Sequence, residues 1–461
     1  MSNFANTDVW GPFNLMATLL CALLAASIIK KNVKLLRDSL IPTSVLGGSI
    51  LLLMSILYKL FTGLHLFEHS FFGGDGATIL EIITYHALAL GFIASTYTDS
   101  KNTLGKERQT EIFNTGLTTV SSYLVQAISG MGLTLFLSRF FKDIFPISGV
   151  LLCFGFGQGT GQAMNYGSIY ETQYGFTGGK SFGLTIAALG FICASFGGVF
   201  YLRYLKKSGK AEIIIKRNQT PSGAKTNEDE SIPIFESMDT LSVQLAFVMG
   251  AYLLTYLMML ILGNLLPGLK AVIYGFNFLL GVISATLTKN FIHKLYDKNI
   301  LKKKYINTFL MIRIRNLFFD IMVVAGIAAI QLNHLGNYFW VLILVAAAGL
   351  VFTYMYNHFI ALKLFKKYSQ EQFLAMFGML CGTASTGIIL LREVDPDFNS
   401  PVADNLVYQN FPAIIFGFPL MLLATIAPTK PMLTMAILII FFLVINIILF
   451  RSKIFRPKKK N

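Results

Sequence analysis

Two short stretches of this sequence carry residue types that hold ions and small polar ligands within apolar surroundings. The first reads Gly155-Phe156-Gly157-Gln158-Gly159-Thr160-Gly161-Gln162-Ala163, and the second runs from Gly378 through Cys381-Gly382-Thr383-Ala384-Ser385-Thr386-Gly387. Glycine lets backbone approach a ligand closely and adopt conformations barred to other residues. Where such a stretch breaks a helix, the freed N–H groups attract carboxylates and the freed carbonyls can coordinate sodium ions. Thr160, Thr383, Ser385 and Thr386 add hydroxyl oxygens, while Gln158, Gln162 and Asn165 add amides. The competing explanation is close helix packing through small residues, which is the whole reading of Gly197-Gly198.

The rest of the chain says what surrounds these stretches. Of 461 residues, 54% are hydrophobic and 13% charged, against roughly 25% charged in a soluble protein. The charges fall in blocks between apolar runs of about 17–25 residues, the length that crosses a hydrocarbon core. This predicts an all-α polytopic membrane protein. The net charge of +15 sits on Lys and Arg flanking the apolar runs, where it sets topology; a nucleic-acid partner is excluded on that ground. Cys21, Cys153, Cys193 and Cys381 lie in apolar segments without metal-ligand spacing and read as packing residues. The first apolar run has Asp8 and no Lys or Arg ahead of it, so it lacks the basic region of a signal peptide.

Eleven spans are predicted, at about 13–29, 41–60, 82–98, 113–138, 181–202, 238–262, 271–288, 309–332, 338–362, 408–427 and 431–450. The motif stretches fall in two further apolar segments, about 146–165 and 371–391, read as re-entrant or broken. Basic loops follow spans one, three, five, seven, nine and eleven, whereas residues 61–80 hold neither Lys nor Arg. The positive-inside rule then puts the N-terminus outside and the C-terminus in the cytoplasm. The alternation survives only if both motif segments dip in and return on the same side. Residues 1–202 form one repeat of five spans and a re-entrant segment, and residues 238–427 a second, inverted one. Residues 203–237, with the acidic patch Glu228-Asp229-Glu230, read as a cytoplasmic linker, and 428–461 as an extra span with a basic tail. A shift of 223 residues lays Gly159-Thr160 on Gly382-Thr383.

At these residues the chain resembles the bacterial sodium/glutamate symporter family, over most of its length up to about residue 428. Ile41-Pro42-Thr43-Ser44-Val45-Leu46-Gly47-Gly48 resembles the start of that family's second span, and Gln126 stands where the family has a glutamine in span four. Gly157-Gln158-Gly159-Thr160-Gly161, followed by Tyr174-Gly175-Phe176, resembles its Gly-His-Gly-Thr-Gly motif with Gln158 in place of histidine. Gly382-Thr383-Ala384-Ser385-Thr386 resembles its Gly-Ala-Thr-Pro-Thr motif with Ser385 in place of proline, and the span at 431–450 is an addition. The resemblance implies an elevator-type carrier, dimeric through its scaffold spans, in a bacterial cytoplasmic membrane. It implies sodium-coupled symport of glutamate or a related small anionic amino acid, sodium being the coupling ion and no other cofactor being needed.

On this reading the substrate site comprises Gln158, Gly159, Thr160, Gly161, Gln162, Asn165, Gly382, Thr383, Ser385 and Thr386. Thr383, Ser385 and Asp320 are the candidate sodium ligands. Asp320 is an acid deep in a span, about 17 Å from its cytoplasmic start at helical rise. It either binds the coupling cation or exchanges a proton, or else pairs with Arg313 or Arg315 as a structural tie. Gln126 in mid-span reads as an interhelical hydrogen bond. His86 and His358 read as residues near span ends, Arg392 as part of a solvated loop, and Lys458-Lys459-Lys460 as a lipid anchor. Coupling to protons, or another organic anion, is the alternative within the same class. A channel fits a pair of opposed broken segments less well. No hydrolase, zincin or phosphate-loop motif is present in the sequence, which argues against an enzyme.

Overall fold

The computed structural model describes residues 7–38, 41–98, 106–210, 239–267, 270–301, 305–332, 336, 338–396 and 398–451. Most of the linker, its acidic patch and the terminal lysine run lie outside the described residues. The described helices are α1 (Thr7–Asn32), α2 (Lys34–Asp38), α3 (Thr43–Thr62), α4 (Gly76–Thr96), α5 (Lys106–Leu137) and α6 (Leu151–Gln158). There follow α7 (Thr160–Tyr174), α8 (Gly179–Lys207), α9 (Thr240–Leu265), α10 (Lys270–Gly275), α11 (Asn277–Asp297) and α12 (Thr308–Ala328). The last six are α13 (Phe339–Leu364), α14 (Ser369–Cys381), α15 (Ala384–Arg392), α16 (Val402–Tyr408), α17 (Asn410–Ile426) and α18 (Pro431–Leu449).

No strand occurs among the described residues, so the fold is all-α. Among the described residues, eight helices are long and apolar enough to cross a membrane, in keeping with a multi-pass protein. They include α1, α3, α5, α8, α9, α13 and α18, with α4 as the remaining one. Three predicted spans are not among the eight, and each has a reason. The stretch 271–288 is interrupted at Phe276, and α11 then runs on through Lys289 and Lys294. α12 carries Arg313, Arg315 and Asp320 within its 21 residues. The stretch 408–427 is divided at Gln409 between α16 and α17, and counts as a ninth span only if that bent pair is one.

The chain divides into two compact units, and each draws on both halves of the sequence. The first comprises Met1–Ala22, Leu51–Asn102 and Lys225–Ala328. Its core joins Leu90, Ile93 and Ala94 of α4, and Tyr97 just past its end, to Val248 and Ala251 of α9, Ala285 of α11, and Met311 and Ile314 of α12. Gly91 lets the Phe319 ring press onto α4, since a Cβ there would overlap it. Gln244 ties the chain ahead of α12 by donating to the Tyr305 carbonyl (2.8 Å) and accepting from the Asn307 N–H (2.9 Å).

The second unit comprises Leu23–Ile50, Thr103–Ala224 and Ala329–Asn461. Its outward surface is apolar, with Phe196, Phe200, Met355 and Ile440 among its exposed side chains, while Thr115, Thr119, Ser122, Gln126 and Thr353 are buried. That inside-out pattern suits a lipid surround and a polar interior. One end is marked by charge. Lys367 lies 3.7 Å from Glu107, Lys206 3.8 Å from Glu393, and Arg108 3.7 Å from Asp404, while Arg451 donates to Asn114 at 3.0 Å. The start of α5 and the C-terminal ends of α8, α13, α15 and α18 therefore share that end. The other end is aromatic: Phe145 stacks on Phe176 at 4.7 Å, Phe176 meets Tyr338, and Phe141 meets Trp340 at 4.9 Å.

Candidate functional site: two broken helical hairpins

Each motif stretch is the tip of a helical hairpin in the second unit. α6 and α7 run antiparallel, with Phe154 of one stacked on Tyr166 of the other at 3.8 Å and Phe145 against Tyr170. Their join is Gly159 alone, at φ 88° and ψ −175°, a combination open essentially to glycine only. α14 and α15 also run antiparallel: a Cβ on Gly378 would lie 2.8 Å from the Cα of Gly387. Their join is Gly382-Thr383, where the Thr383 hydroxyl caps α15 by facing the Thr386 N–H at 3.4 Å. The first hairpin starts and ends at the aromatic end of the unit, the second at the charged end. Both thus return to the end from which they entered.

The tips meet at the middle of α5 and α8. Gln126 donates through Nε2 to the Thr353 hydroxyl (3.0 Å) and to the Leu380 carbonyl (2.8 Å) in the last turn of α14. Its Oε1 has no partner, and a Cβ on Gly157 would lie 3.1 Å from it. One glutamine side chain thus spans from one hairpin to the other. α8 offers a second bridge, because a Cβ on Gly190 would lie 2.5 Å from the Cys381 carbonyl oxygen and 2.9 Å from the Phe156 ring. Only a bare backbone lets both tips close on α8.

The expected substrate residues divide as follows. Thr160, Gly161, Gln162 and Asn165 are buried in the first half of α7, with Gln158 half-buried at the end of α6. Gln158 Nε2 and both amide atoms of Gln162 lack a hydrogen-bond partner. Gly382 and Thr386 are buried and Thr383 is half-buried, its hydroxyl 3.3 Å from that of Thr386. Ser385 lies in the first turn of α15, and its side chain is outside the described residues. Asp320 stands on α12 in the first unit, so the three expected sodium ligands do not belong to one unit. Near it, Arg313 lies over the Phe309 ring at 5.0 Å and Arg315 donates to Asn316 at 3.2 Å. Arg392 ends α15 exposed, 5.9 Å from the Phe398 ring centroid.

Gln126 was expected as a tie between helices. It is one, and its position between the tips with an open oxygen makes it part of the site as well. An amide deep in the apolar part of a helix of 32 residues was the signal for it. What the arrangement can do follows from helix ends. α7 and α15 direct N-terminal N–H groups into the centre, where they favour an anion. α6 and α14 direct C-terminal carbonyls there, where they favour a cation. Among the described residues no group of three or more His, Cys, Asp or Glu side chains is placed to hold a metal ion. At the charged end, the Tyr368 hydroxyl ahead of α14 is pushed above its ordinary range by burial and then by the Glu111 carboxylate. No family model, curated protein or solved structure matches the chain.

Proposed function

We propose that this protein is a secondary active transporter: a sodium-coupled symporter of glutamate or a related small anionic amino acid, working by alternating access of the elevator type. The observation that carries this reading is the meeting of two broken hairpins, entered from opposite ends, around unpaired amide groups. In a membrane, unpaired amides and broken helices cost free energy unless a ligand or water completes them. Paired half-helix termini suit an anionic substrate with a cation beside it. The motifs' resemblance to the sodium/glutamate symporters agrees with that chemistry and supplies the named substrate and ion.

The remaining architecture belongs to the same proposal. Eleven spans would be arranged as inverted repeats, with both hairpins re-entrant and the N-terminus outside. The gathering of basic residues at one end of the second unit supports placing that end in the cytoplasm. The membrane would be the bacterial cytoplasmic one, and the assembly a homodimer.

Uptake of radiolabelled glutamate by purified protein in liposomes is the test, run against a panel of amino and dicarboxylic acids. A sodium gradient should drive accumulation, and a proton gradient alone should not. Accumulation driven by protons alone would replace sodium in the reading. No accumulation of any member of the panel by folded protein would overturn it.

A further inference from the structure

A second polar cluster lies in the same unit, away from the tips and toward the charged end. There α5, α14 and α16 run side by side. Arg108 Nη2 donates to the Pro401 carbonyl (2.7 Å), and one end of α16 is fixed to α5 by it. Thr119 donates to Gln409 Oε1 (2.8 Å) and fixes the other. Between these ties, Glu111 and Thr115 stand one turn apart on α5, the Thr115 hydroxyl donating to the Glu111 carbonyl at 2.9 Å. Opposite them, Tyr368 and Gln372 stand one turn apart at the start of α14, and Gln372 Nε2 donates to the Thr115 oxygen at 3.4 Å. Asn405 of α16 lies beside the Tyr368 hydroxyl, which itself faces the Glu111 carboxylate.

Two features of this corner point to a ligand. Gln372 is 1% exposed and Asn405 0%, yet Gln372 Oε1 and Asn405 Oδ1 have no hydrogen-bond partner. Buried polar atoms in native proteins are nearly always satisfied, so such a group of orphans calls for an occupant. The local charge then selects its sign. Glu111 and Asp404 share the single guanidinium of Arg108, at 2.9 Å and 3.7 Å, two carboxylates to one cation. Amide and hydroxyl oxygens in a field of net negative charge favour a cation. A divalent ion would demand several carboxylates in direct contact, whereas neutral oxygens suffice for a monovalent one.

We propose that this corner is a binding site for a monovalent cation, with Gln372 Oε1, Asn405 Oδ1 and the Thr115 hydroxyl oxygen as ligands. The site stands on its own geometry; its use as a coupling site rests on the transport reading. It is tested without substrate, on the purified full-length protein in detergent. Sodium and potassium chloride are titrated against choline chloride at constant ionic strength, followed by binding of radioactive sodium and by the thermal unfolding midpoint.

The wild type should bind one of the two ions saturably and unfold at higher temperature in its presence. Thr115→Val should weaken that binding at least tenfold while remaining monodisperse. Asn405→Asp adds a charge at nearly constant shape and should tighten it at least tenfold; it decides the matter if Thr115→Val fails to fold. No saturable binding by the wild type, or unchanged binding in folded Thr115→Val or Asn405→Asp, would overturn the site and leave ordered water as its occupant. Loss of uptake with intact cation binding would count against the transport reading alone.

Discussion

The two hairpins share a plan and differ in how firmly their tips are held. The first tip is buried apart from the half-buried Gln158: Thr160 is 0% and Gln162 1% exposed. α7 behind it is tied to α17 by three tyrosine hydroxyls, with Tyr166 donating to Met421 (2.9 Å), Tyr170 to Ala424 (2.8 Å) and Tyr174 to Thr425 (3.3 Å). The second tip has a half-buried Thr383 and an exposed Ala384, and α15 behind it is only nine residues long. Its cap is a long 3.4 Å contact. Segments with few buried ties open at lower free-energy cost. The difference marks the first hairpin as the fixed wall of the site and the second as the part that yields.

Glycine replacement at the joins gives the largest expected effect. Gly159→Ala forces a side chain into a glycine-only conformation, a cost of about 1–3 kcal/mol, or roughly a 5- to 150-fold loss of the competent state. Gly382→Ala places a Cβ 2.9 Å from the Thr386 hydroxyl, 3.0 Å from the Gly378 carbonyl oxygen and 3.2 Å from the Phe191 ring, and small shifts at a yielding tip absorb it. Uptake should fall much further in the first variant than in the second, with larger residues abolishing it in both. Equal losses in the two alanine variants would erase the distinction between wall and gate.

Gln126→Leu comes next, since it cuts the link between the hairpins. It orphans the Leu380 carbonyl and leaves Thr353 without its donor, at a cost of about 1–3 kcal/mol. Both the unfolding midpoint and substrate affinity should drop. A drop in stability with unchanged affinity would return Gln126 to a purely structural role.

Thiol labelling sharpens the comparison directly. With the exposed Cys21 replaced by serine, Ala384→Cys should react readily with a membrane-impermeant maleimide, and bound substrate should slow it. Thr160→Cys should resist. Ready labelling of Thr160→Cys would make the first tip the accessible one.

The smallest effect is expected from Tyr170→Phe, which removes one tie of the fixed wall. The loss is about 0.5–1.5 kcal/mol of stability, read as a lowered unfolding midpoint with nearly normal uptake. A large change in transport would show that the wall moves.

Much of this could be read before any coordinates. Long apolar runs between basic blocks dictate helices in a membrane, because lipid leaves backbone no other way to satisfy its polar groups. Gly159 and Gly382-Thr383 announce breaks, because glycine and threonine amid apolar residues have no reason to continue a helix smoothly. The sequence therefore settled the all-α class and where two helices break. Eight of its eleven spans are helices long and apolar enough to cross a membrane, and the other three are α12 with Arg313, Arg315 and Asp320 and the stretches divided at Phe276 and at Gln409.

What only the tertiary structure decided is who meets whom. Gln126, Gly157 and Leu380 converge because three helices take a particular register, and registers are set by packing such as Gly190 against Phe156 and Cys381. The cluster of Thr115, Gln372 and Asn405 is hidden for the same reason. Each residue alone is an ordinary polar side chain on an apolar helix. Hydropathy and motif spacing are properties of one strand of sequence, whereas an orphaned amide is defined by the neighbours that fail to satisfy it, and those come from distant parts of the chain.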